Sequence, residues 1–175
     1  MDPTIRAATE ENLKSLETDD KAEFPLAAWV ERHRADRGKL FVAVVDELPI
    51  GQVYVSLEDA VEPDLRRHFP QAAVIERLEV RKGFRNLGVA GRLMDAAEDF
   101  IRRGKHDRDR FRVILGVNVD NPDPIPLYER RGYAEWLSDA SGLPRRVDTH
   151  RIDGEPERCR VFVKDLTRVT NSGIR

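Results

Sequence analysis

Residues 74–101 read VIERLEVRKGFRNLGVAGRLMDAAEDFI, and the order of their side chains predicts a strand, a glycine-rich turn and a helix. Along the predicted strand the side chains alternate with a period of two, which places each set on its own face. One face carries Val74, Glu76, Leu78 and Val80, and the other carries Ile75, Arg77 and Glu79. Glu76 is therefore the one charged side chain on an otherwise apolar face.

The second half of this stretch has the periodicity of an amphipathic helix. Its apolar side chains recur at helical spacing and stop at Gly104, which is placed as a C′ glycine behind Arg102 and Arg103. They are Val89, Leu93, Ala96, Ala97, Phe100 and Ile101. The first N–H groups of such a helix lack partners and carry a partial positive charge that suits an anion such as pyrophosphate.

The turn before this helix does not match two common phosphate loops. The P-loop requires Gly-Lys-Ser/Thr at the helix start, and the dinucleotide motif requires G-x-G-x-x-G. Here the glycines are Gly83, Gly88 and Gly91. A glycine pair at a strand-to-helix turn is more often structural than phosphate-binding, so the turn alone leaves both interpretations open.

A second strand and a tyrosine-containing helix follow. Side chains 111–117 alternate as in a strand, and residues 118–133 read NVDNPDPIPLYERRGY. With these motifs in this order, the chain resembles the GNAT family of acetyl-CoA-dependent N-acetyltransferases over residues 40–166. The family's cofactor motif, R/Q-x-x-G-x-G/A, is matched by Arg85, Gly88 and Ala90, and its second motif, N-x-x-A-x-x-L-Y-x-x-x-G-F, by Asn121, Leu127, Tyr128, Gly132 and Tyr133.

The resemblance implies an α/β fold, the GNAT-like acyl-CoA N-acyltransferase fold, with a mixed, mostly antiparallel sheet of about seven strands flanked by about four helices. We expect one domain over residues 1–166 and a frayed tail over 167–175. The resemblance further implies that acetyl-CoA binds where two parallel strands splay apart. Acetyl-CoA would then donate its acetyl group to a primary amine of a small molecule or of a protein or peptide, by direct attack in a ternary complex. A non-catalytic acyl-CoA-binding or sensing module of the same fold, and transfer of a longer acyl group, are the alternatives.

The resemblance also assigns residues to the cofactor. The pyrophosphate is expected on the backbone amides of residues 85–91, with the Arg85 side chain available for charge-assisted hydrogen bonds. The backbone N–H of Val80 is expected to hold the thioester carbonyl, and Asn121 to bond the pantetheine arm or to cap the following helix. The full expected set is Leu78, Glu79, Val80, Arg85, Asn86, Leu87, Gly88, Val89, Ala90, Gly91, Asn121 and Tyr128.

Two side chains have chemistry suited to acetyl transfer. Glu76 is the first candidate for a general base, because a carboxylate on an apolar face has its charged form disfavoured and its pKa raised. Alternatively, Glu76 pairs with a buried arginine or binds the amine only as a counter-charge. Glu79, expected on the opposite face of the sheet, is the weaker candidate. Tyr128 matches the family's general acid, which reaches the sulfur of coenzyme A, and a core aromatic is its alternative role.

The start of the second motif's helix departs from the family's pattern, because it carries the prolines Pro122, Pro124 and Pro126. Pro124 replaces the usual alanine, and Pro126 would clash if the helix began directly after Asn121. We therefore expect the helix to begin around Pro124, after an extended or 3₁₀ lead-in. Such a start shifts Tyr128 relative to the sulfur.

Composition sets bounds on the rest. A chain of 175 residues with 40% hydrophobic residues suffices for one domain with a substantial core. The net charge of −2, with acidic and basic residues intermixed, gives no reason to expect nucleic acid or a membrane surface as a partner. The single cysteine, Cys159, excludes an intrachain disulfide and is expected to be a packed thiol, and the scattered histidines show no metal-ligand spacing. Without a signal-peptide pattern or a membrane-length apolar run, a cytoplasmic protein is expected.

The remaining segments are expected to complete the sheet and its flanking helices. In order, they are a strand at 4–8, a helix capped by Thr9, a helix from Pro25 to Gly38 with His33 on its face, strands at 40–45 and 50–57 around a hairpin, a loop or short helix at 58–71, and strands at 133–137 and 158–166. The stretch 138–157 is expected to be a long loop that covers the acceptor or makes a dimer contact. Nothing in the sequence selects the acceptor amine, and a homodimer is possible for this family.

Overall fold

The computed structural model describes residues 2–18, 27–104, 111–149 and 156–166. The strands in these ranges are β1 (Thr4–Ala7), β2 (Gly38–Val45), β3 (Leu48–Ser56), β4 (Ala73–Val80), β5 (Arg112–Asn118), β6 (Ala134–Glu135), β7 (Arg146–Thr149) and β8 (Glu157–Asp165). The helices are α1 (Glu10–Thr18), α2 (Ala27–Arg34), α3 (Pro63–His68), α4 (Val89–Arg103) and α5 (Ile125–Arg130), with a 3₁₀ turn at Lys82–Phe84. The expected helix start at Pro25 and the tail 167–175 lie outside the described residues.

The strands form one sheet in the order β1-β2-β3-β4-β5-β8-β6, and β7 also pairs with β8. Among the described strands, β4 and β5 are the parallel pair, and the other pairs are antiparallel. Their pairing extends only from Ala73–Ile75 on β4 to Val113–Leu115 on β5. The two strands therefore diverge toward their carboxyl ends. This confirms the expected mixed, mostly antiparallel sheet with splayed parallel strands, with one strand and one helix more than anticipated.

Helices cover both faces of the central strands. On one face α4 buries Leu93, Met94 and Ala97 in a cluster that includes Val53 and Ile75. On the other face a second cluster joins α1 and α2 to β2 and β3. Its members are Ala8, Leu13, Trp29, Val30, Leu40, Val42, Val44 and Tyr54. Because both faces are buried, β2 and β3 read as nearly continuous apolar runs.

A β-bulge interrupts the alternation of β4. Arg77 has a φ of 55°, and the register shifts so that Arg77 and Leu78 together oppose Val53 of β3. A bulge of this kind adds one residue to one strand and leaves it outside the ladder. Leu78 consequently packs against the α4-side cluster that contains Val80. The prediction that β4 alternates without interruption, with Leu78 on the same face as Glu76, is therefore wrong.

The same bulge brings two carboxylates to one face. Glu76 pairs with Tyr54, and Glu79 pairs with Gln52. Since Gln52 and Tyr54 are two residues apart on β3, they lie on the same face, and so do their partners. The prediction that Glu79 lies on the opposite face from Glu76 is wrong, because it assumed an uninterrupted period of two.

The stretch 133–149 contains more sheet structure than its sequence suggested. The expected strand 133–137 is reduced to β6, which pairs with β8 at Phe162 and Val163. Within the expected loop 138–157, β7 pairs with the first half of β8. A polar strand of four residues in which only Val147 is buried shows too little alternation to be recognised. The middle of that loop, 150–155, lies outside the described residues.

The ends of two helices test the expected caps. At α1, the Asn12 N–H donates to Thr9 Oγ1 (3.3 Å), and the Thr9 N–H donates to Asn12 Oδ1 (3.4 Å). This reciprocal pair confirms Thr9 as the N-cap. At the end of α4, Gly104 is extended, with a φ of −61°, and its N–H donates to the Phe100 carbonyl. The helix therefore ends at the expected place, but Gly104 is its C-cap residue and not the expected C′ residue.

Gly38 allows Tyr54 to pack at the edge of the second cluster, and its replacement should destabilise the fold. A Cβ at Gly38 would lie well inside contact distance of the Val55 carbonyl oxygen and the Tyr54 hydroxyl. The backbone oxygen cannot move aside, so we expect Gly38→Ala to lower the free energy of unfolding by about 2 kcal/mol. Urea denaturation followed by circular dichroism measures this change. Gly83→Ala, where a Cβ meets nothing within 4 Å, is the control. Equal stability of the two variants would contradict the packing described here.

Candidate active site

Two clefts meet where β4 and β5 diverge. The larger, about 970 Å³, lies between the turn before α4 and the start of α5. The smaller, about 330 Å³, lies on the other face of the sheet, against Trp29 of α2 and Leu65 of α3. The residues that line both clefts are Leu78, Glu79, Asn121, Pro124 and Tyr128. The arrangement lets two molecules approach one point from opposite faces of the sheet.

The larger cleft ends at an unpaired row of backbone amides. Asn86 and Gly88 have left-handed φ values of 63° and 78°, which turn the chain into α4. The first helical hydrogen bond runs from the Arg92 N–H to the Gly88 carbonyl (3.1 Å). Among the described residues the amides of 86–91 donate to no protein acceptor. A Cβ at Gly91 would meet nothing within 4 Å, so the helix start is open to a ligand, and its dipole favours an anion.

Most of the residues expected at the cofactor line this cleft. They are Leu78, Glu79, Val80, Arg85, Asn86, Gly88, Val89, Ala90, Gly91, Asn121 and Tyr128. Leu87 does not line it, and its side chain is exposed. The Arg85 Nε donates to the Val80 carbonyl (2.9 Å), which ties the turn to the end of β4. Arg85 thus has a structural contact in addition to its expected role toward phosphate.

Glu76 lines the smaller cleft. Its side chain is 32% exposed, while Oε2 is buried and has no hydrogen-bond partner among the described residues. Burial raises the pKa of Glu76 to about 7, an effect that the Arg32 charge opposes and the charges of Glu62 and Glu58 reinforce. A carboxylate that titrates near neutrality at the wall of a cleft has the property required of a general base.

Arg32 of α2 is a site residue that the sequence did not reveal. Its guanidinium carbon lies 5.4 Å from the ring centroids of both Trp29 and Tyr54. Its Nη2 is 2.6 Å from Glu58, and its Nη1 is 3.8 Å from Glu76. Glu76 therefore lies near a buried arginine, the group with which the alternative interpretation would pair it. Because the contact to Glu76 is too long for a hydrogen bond, Glu76 keeps its raised pKa.

Glu79 is more firmly engaged than Glu76. Its carboxylate accepts a hydrogen bond from Gln52 Nε2 (3.1 Å) and lies 3.4 Å from the Arg77 Nη1. Glu79 is thus held by two contacts, one to an amide and one to a guanidinium. Although Glu79 lines both clefts, its partners make it less available for proton transfer than Glu76.

Tyr128 lies where the two clefts join. Pro124 occupies the N-cap position of α5, which begins at Ile125, and this confirms the expected start around Pro124. The Tyr128 ring packs against Tyr133 and Phe162, with centroids 5.9 and 6.5 Å away. Burial raises its pKa to about 12, so Tyr128 is protonated at neutral pH.

Asn121 lies beside Tyr128 without capping α5. The N-cap position belongs to Pro124, which makes no side-chain cap bond. The Asn121 N–H donates to the Asn118 carbonyl (3.0 Å). Its side chain lines both clefts. Of the two expected roles for Asn121, capping is therefore wrong.

A buried carboxylate, Glu98, holds the elements behind the site together. Glu98 is 1% exposed and accepts hydrogen bonds from four side chains. The donors are Arg102 (3.0 Å), Arg131 (3.2 Å), Tyr133 (3.2 Å) and Lys164 (2.9 Å). Burial acts to raise the pKa of Glu98, but hydrogen bonding from Lys164 and the charge of Arg131 outweigh it and hold the pKa below its ordinary value. We call these five residues the Glu98 cluster.

The described residues show neither a metal site nor a membrane-spanning helix. They contain no group of three or more histidine, cysteine, aspartate or glutamate side chains placed to hold a metal ion. No helix among them is long and apolar enough to span a bilayer. Cys159 is buried in β8, as a packed thiol, and His33 accepts a hydrogen bond from the Leu40 N–H at Nδ1 (3.1 Å).

Two parallel strands thus diverge between a helix start with open backbone amides on one side and, on the other, a carboxylate whose pKa is about 7. A family model described as the acetyltransferase (GNAT) family matches residues 5–133. The chain belongs to this family and is by class an acyltransferase. No curated protein sequence gives a significant match.

Solved structures share this fold at low sequence identity. Naa50 of Arabidopsis thaliana, in complex with the bisubstrate analogue CoA-Ac-MVNAL, has a TM-score of 0.66 and 18% identity, over 95% of this chain and 100% of that one. NAA60 of Arabidopsis thaliana, in complex with a bisubstrate analogue, has a TM-score of 0.67 and 19% identity, over 94% and 98%. A ribosomal-protein-alanine N-acetyltransferase from Brucella melitensis has a TM-score of 0.64 and 17% identity, over 93% and 99%. At these identities the likeness shows the fold.

Proposed function

We propose that this protein transfers an acetyl group from acetyl-CoA to a primary amine by direct attack in a ternary complex. The observation that carries the proposal is the meeting of the two clefts between β4 and β5, with Glu76 in one cleft and Tyr128 at their junction. The donor enters from the α4 side and the amine from the side of Glu76. Holding both reactants at one point supplies several kcal/mol of rate enhancement. A small-molecule amine and the amine of a protein or peptide, as in the bisubstrate analogue CoA-Ac-MVNAL bound to Naa50, fit this scheme equally.

The larger cleft suits an acyl-CoA donor. Its open amide row at 86–91 matches a pyrophosphate, and Arg85 adds a positive charge beside it. The cleft continues along Leu78, Glu79 and Val80 to Tyr128, a course that suits the pantetheine arm. Acetyl-CoA supplies a thioester whose carbonyl carbon is open to attack by an amine.

Residues of the two clefts and of their junction divide the proton transfers. Glu76 accepts the proton that the amine loses, directly or through water, and its pKa of about 7 lets it hold or release that proton near neutrality. The Val80 N–H stabilises the negative charge that develops on the carbonyl oxygen. Tyr128, protonated at neutral pH, donates toward the departing sulfur. A non-catalytic sensing module would not need a carboxylate with a pKa of about 7 in one cleft and a protonated tyrosine where the two clefts join.

Binding of the donor is tested by a charge placed at the helix start. Gly91→Asp puts a carboxylate where the pyrophosphate is expected, and an acidic residue in a first turn does not destabilise a helix. We expect the Kd for acetyl-CoA, measured by calorimetry, to rise by about tenfold or more. Gly83→Asp, outside both clefts, is the control, and equal affinities in the two variants would contradict the assigned site.

Steady-state kinetics test the order of events. Direct attack requires both substrates to be bound together, so double-reciprocal plots at several acetyl-CoA concentrations should intersect. Parallel lines would indicate an acetylated enzyme intermediate instead and would contradict the ternary complex.

Removal of the Tyr128 hydroxyl should have a modest effect on turnover. A thiol with a pKa of about 8.5 is already a tolerable leaving group near neutrality. We therefore expect Tyr128→Phe to lower kcat toward the low end of the roughly 100- to 10,000-fold range of general acid–base catalysis, with the Kd for acetyl-CoA little changed. Tyr133→Phe, which loses a hydroxyl of the Glu98 cluster outside both clefts, is the matched control. A kcat for Tyr128→Phe equal to that of the wild type would exclude the proposed acid.

Three expectations from the sequence stay predictions. They are the cytoplasmic location, the homodimer, and the extent of the domain over 1–166 with its tail. Size-exclusion chromatography with light scattering measures the oligomeric state.

A further inference from the structure

The surroundings of Arg32 indicate a role that the proposed acetyl transfer does not include. The guanidinium packs beside the contacting rings of Trp29 and Tyr54, whose centroids lie 5.1 Å from each other and 5.4 Å from the guanidinium carbon. Only 13% of the Arg32 side chain is exposed, and a desolvated cation packed against aromatic rings has a fixed position. Both rings are themselves buried. Arg32 is therefore held by the fold before any substrate arrives.

Two carboxylates compete for this guanidinium. Glu58 forms the close pair at 2.6 Å, and Ser56 Oγ lies 3.4 Å from the same Nη2. Glu76 faces Nη1 at 3.8 Å, where Coulomb attraction acts without a hydrogen bond. Since Glu58 takes the strong contact, Glu76 receives only part of the neutralising charge.

We propose that Arg32 is a positioning residue that acts through Glu76, and that Glu58 sets how strongly Arg32 does so. The inference rests on the proposed role of Glu76 as the base. A full ion pair with Arg32 would hold Glu76 as a carboxylate too stable to accept a proton. With no cation nearby, Glu76 would stay protonated at neutral pH.

The other groups facing Glu76 act in both directions. Glu58 and Glu62 disfavour its charged form, whereas Arg32 and Arg77 favour it. Glu79 lies on the same face of β4, engaged with Gln52 and Arg77. Tyr54, directly opposite on β3, is neutral near pH 7 because burial raises its pKa to about 12. Removal of Arg32 and removal of the Glu58 charge should consequently have opposite effects on Glu76.

The test compares two substitutions that move the same titration in opposite directions. In Arg32→Met the cation is lost, and the acid limb of the pH profile of kcat/KM should move to higher pH by about one unit. Glu58→Gln removes the anion that competes with Glu76 for Arg32. Because Arg32 can then interact more strongly with Glu76, the acid limb should move to lower pH. Arg34→Met is the control, because Arg34 lies on the same helix but pairs with exposed Glu10.

A direct titration keeps the test independent of turnover. The pKa of Glu76, measured by carbon NMR of labelled carboxyl groups without substrate, should shift in the same two directions. Equal or same-direction shifts in Arg32→Met and Glu58→Gln would overturn the inference. If Arg32→Met does not fold, Glu58→Gln alone decides: no shift to lower pH overturns it. If Glu76→Gln turns over like the wild type while the two NMR shifts occur, the proposed base fails and the coupling of Arg32 to Glu76 stands.

Discussion

Glu76→Gln is expected to lower kcat by roughly 100- to 10,000-fold. The amide has almost the shape of the carboxylate but cannot accept the proton of the attacking amine. Glu76 does not line the larger cleft, where acetyl-CoA is expected to bind, so the Kd for acetyl-CoA should stay within about a factor of three. Steady-state kinetics with a responsive amine, together with calorimetry, measure the two quantities.

Glu79→Gln is the matched control for this substitution. Glu79 lies on the same strand and face as Glu76 and makes the same change of charge, but it is engaged by Gln52 and Arg77. We expect its kcat to fall much less than that of Glu76→Gln. If kcat fell more in Glu79→Gln than in Glu76→Gln, Glu79 and not Glu76 would be the general base.

The pH profile gives a second readout of the same residue. Below its pKa of about 7 Glu76 is protonated and cannot act as a base, so kcat/KM should fall tenfold per unit as the pH decreases. This decrease, which is the acid limb due to Glu76, should vanish in Glu76→Gln. The decrease in kcat/KM caused by protonation of the acceptor amine should remain. If the limb near pH 7 persisted in the variant, another group would be responsible for it.

Glu98→Ala should produce the largest loss of stability, about 3–5 kcal/mol. The substitution leaves Arg131 and Lys164, whose side chains are each 18% exposed, without their shared buried anion. For a chain of this size the melting temperature should fall by about 10 °C. Calorimetry and urea denaturation measure the change.

Asp99→Ala is the control on the same helix. Asp99 is half exposed, and its ion pairs with Arg102 and Arg103 lie at the surface, so its loss should cost less than about 1 kcal/mol. Equal losses in the two variants would show that the Glu98 cluster does not stabilise the fold.

The contribution of Glu98 should also depend on pH. Its pKa is lowered by folding from an ordinary value of 4.5. The stabilisation is therefore complete above that value and is lost as the pH falls through the lower folded-state pKa. The difference in unfolding free energy between the wild type and Glu98→Ala should be constant near neutrality and shrink at acidic pH.

Much of the fold could be predicted because local patterns and tertiary structure agree. The strand, turn and helix of residues 74–101 follow from alternation, glycines and helical spacing, and the start of α5 follows from the steric limits of Pro124 and Pro126. The positions of Glu76 and Tyr128 follow from the same motifs.

What the sequence could not show depends on long-range contacts. The bulge at Arg77 has no glycine to mark it, so the shared face of Glu76 and Glu79 appears only in the pairing with β3. The sequence places Arg32 on the solvent side of a short helix, whereas in the fold it packs against Trp29 and Tyr54. Glu98 lies on a helix, and a charged side chain there is usually exposed. Its four hydrogen-bond donors come from α4, from the segment between α5 and β6, and from β8.

Thiol release from acetyl-CoA is the decisive measurement for the proposed transferase, made with a broad panel of amines, a no-acceptor control and Glu76→Gln. We expect release that depends on one class of amine and falls by at least about 100-fold in the variant. Release that no amine raises above the control, although acetyl-CoA binds and stabilises the protein, would contradict the transferase and favour an acyl-CoA-sensing module.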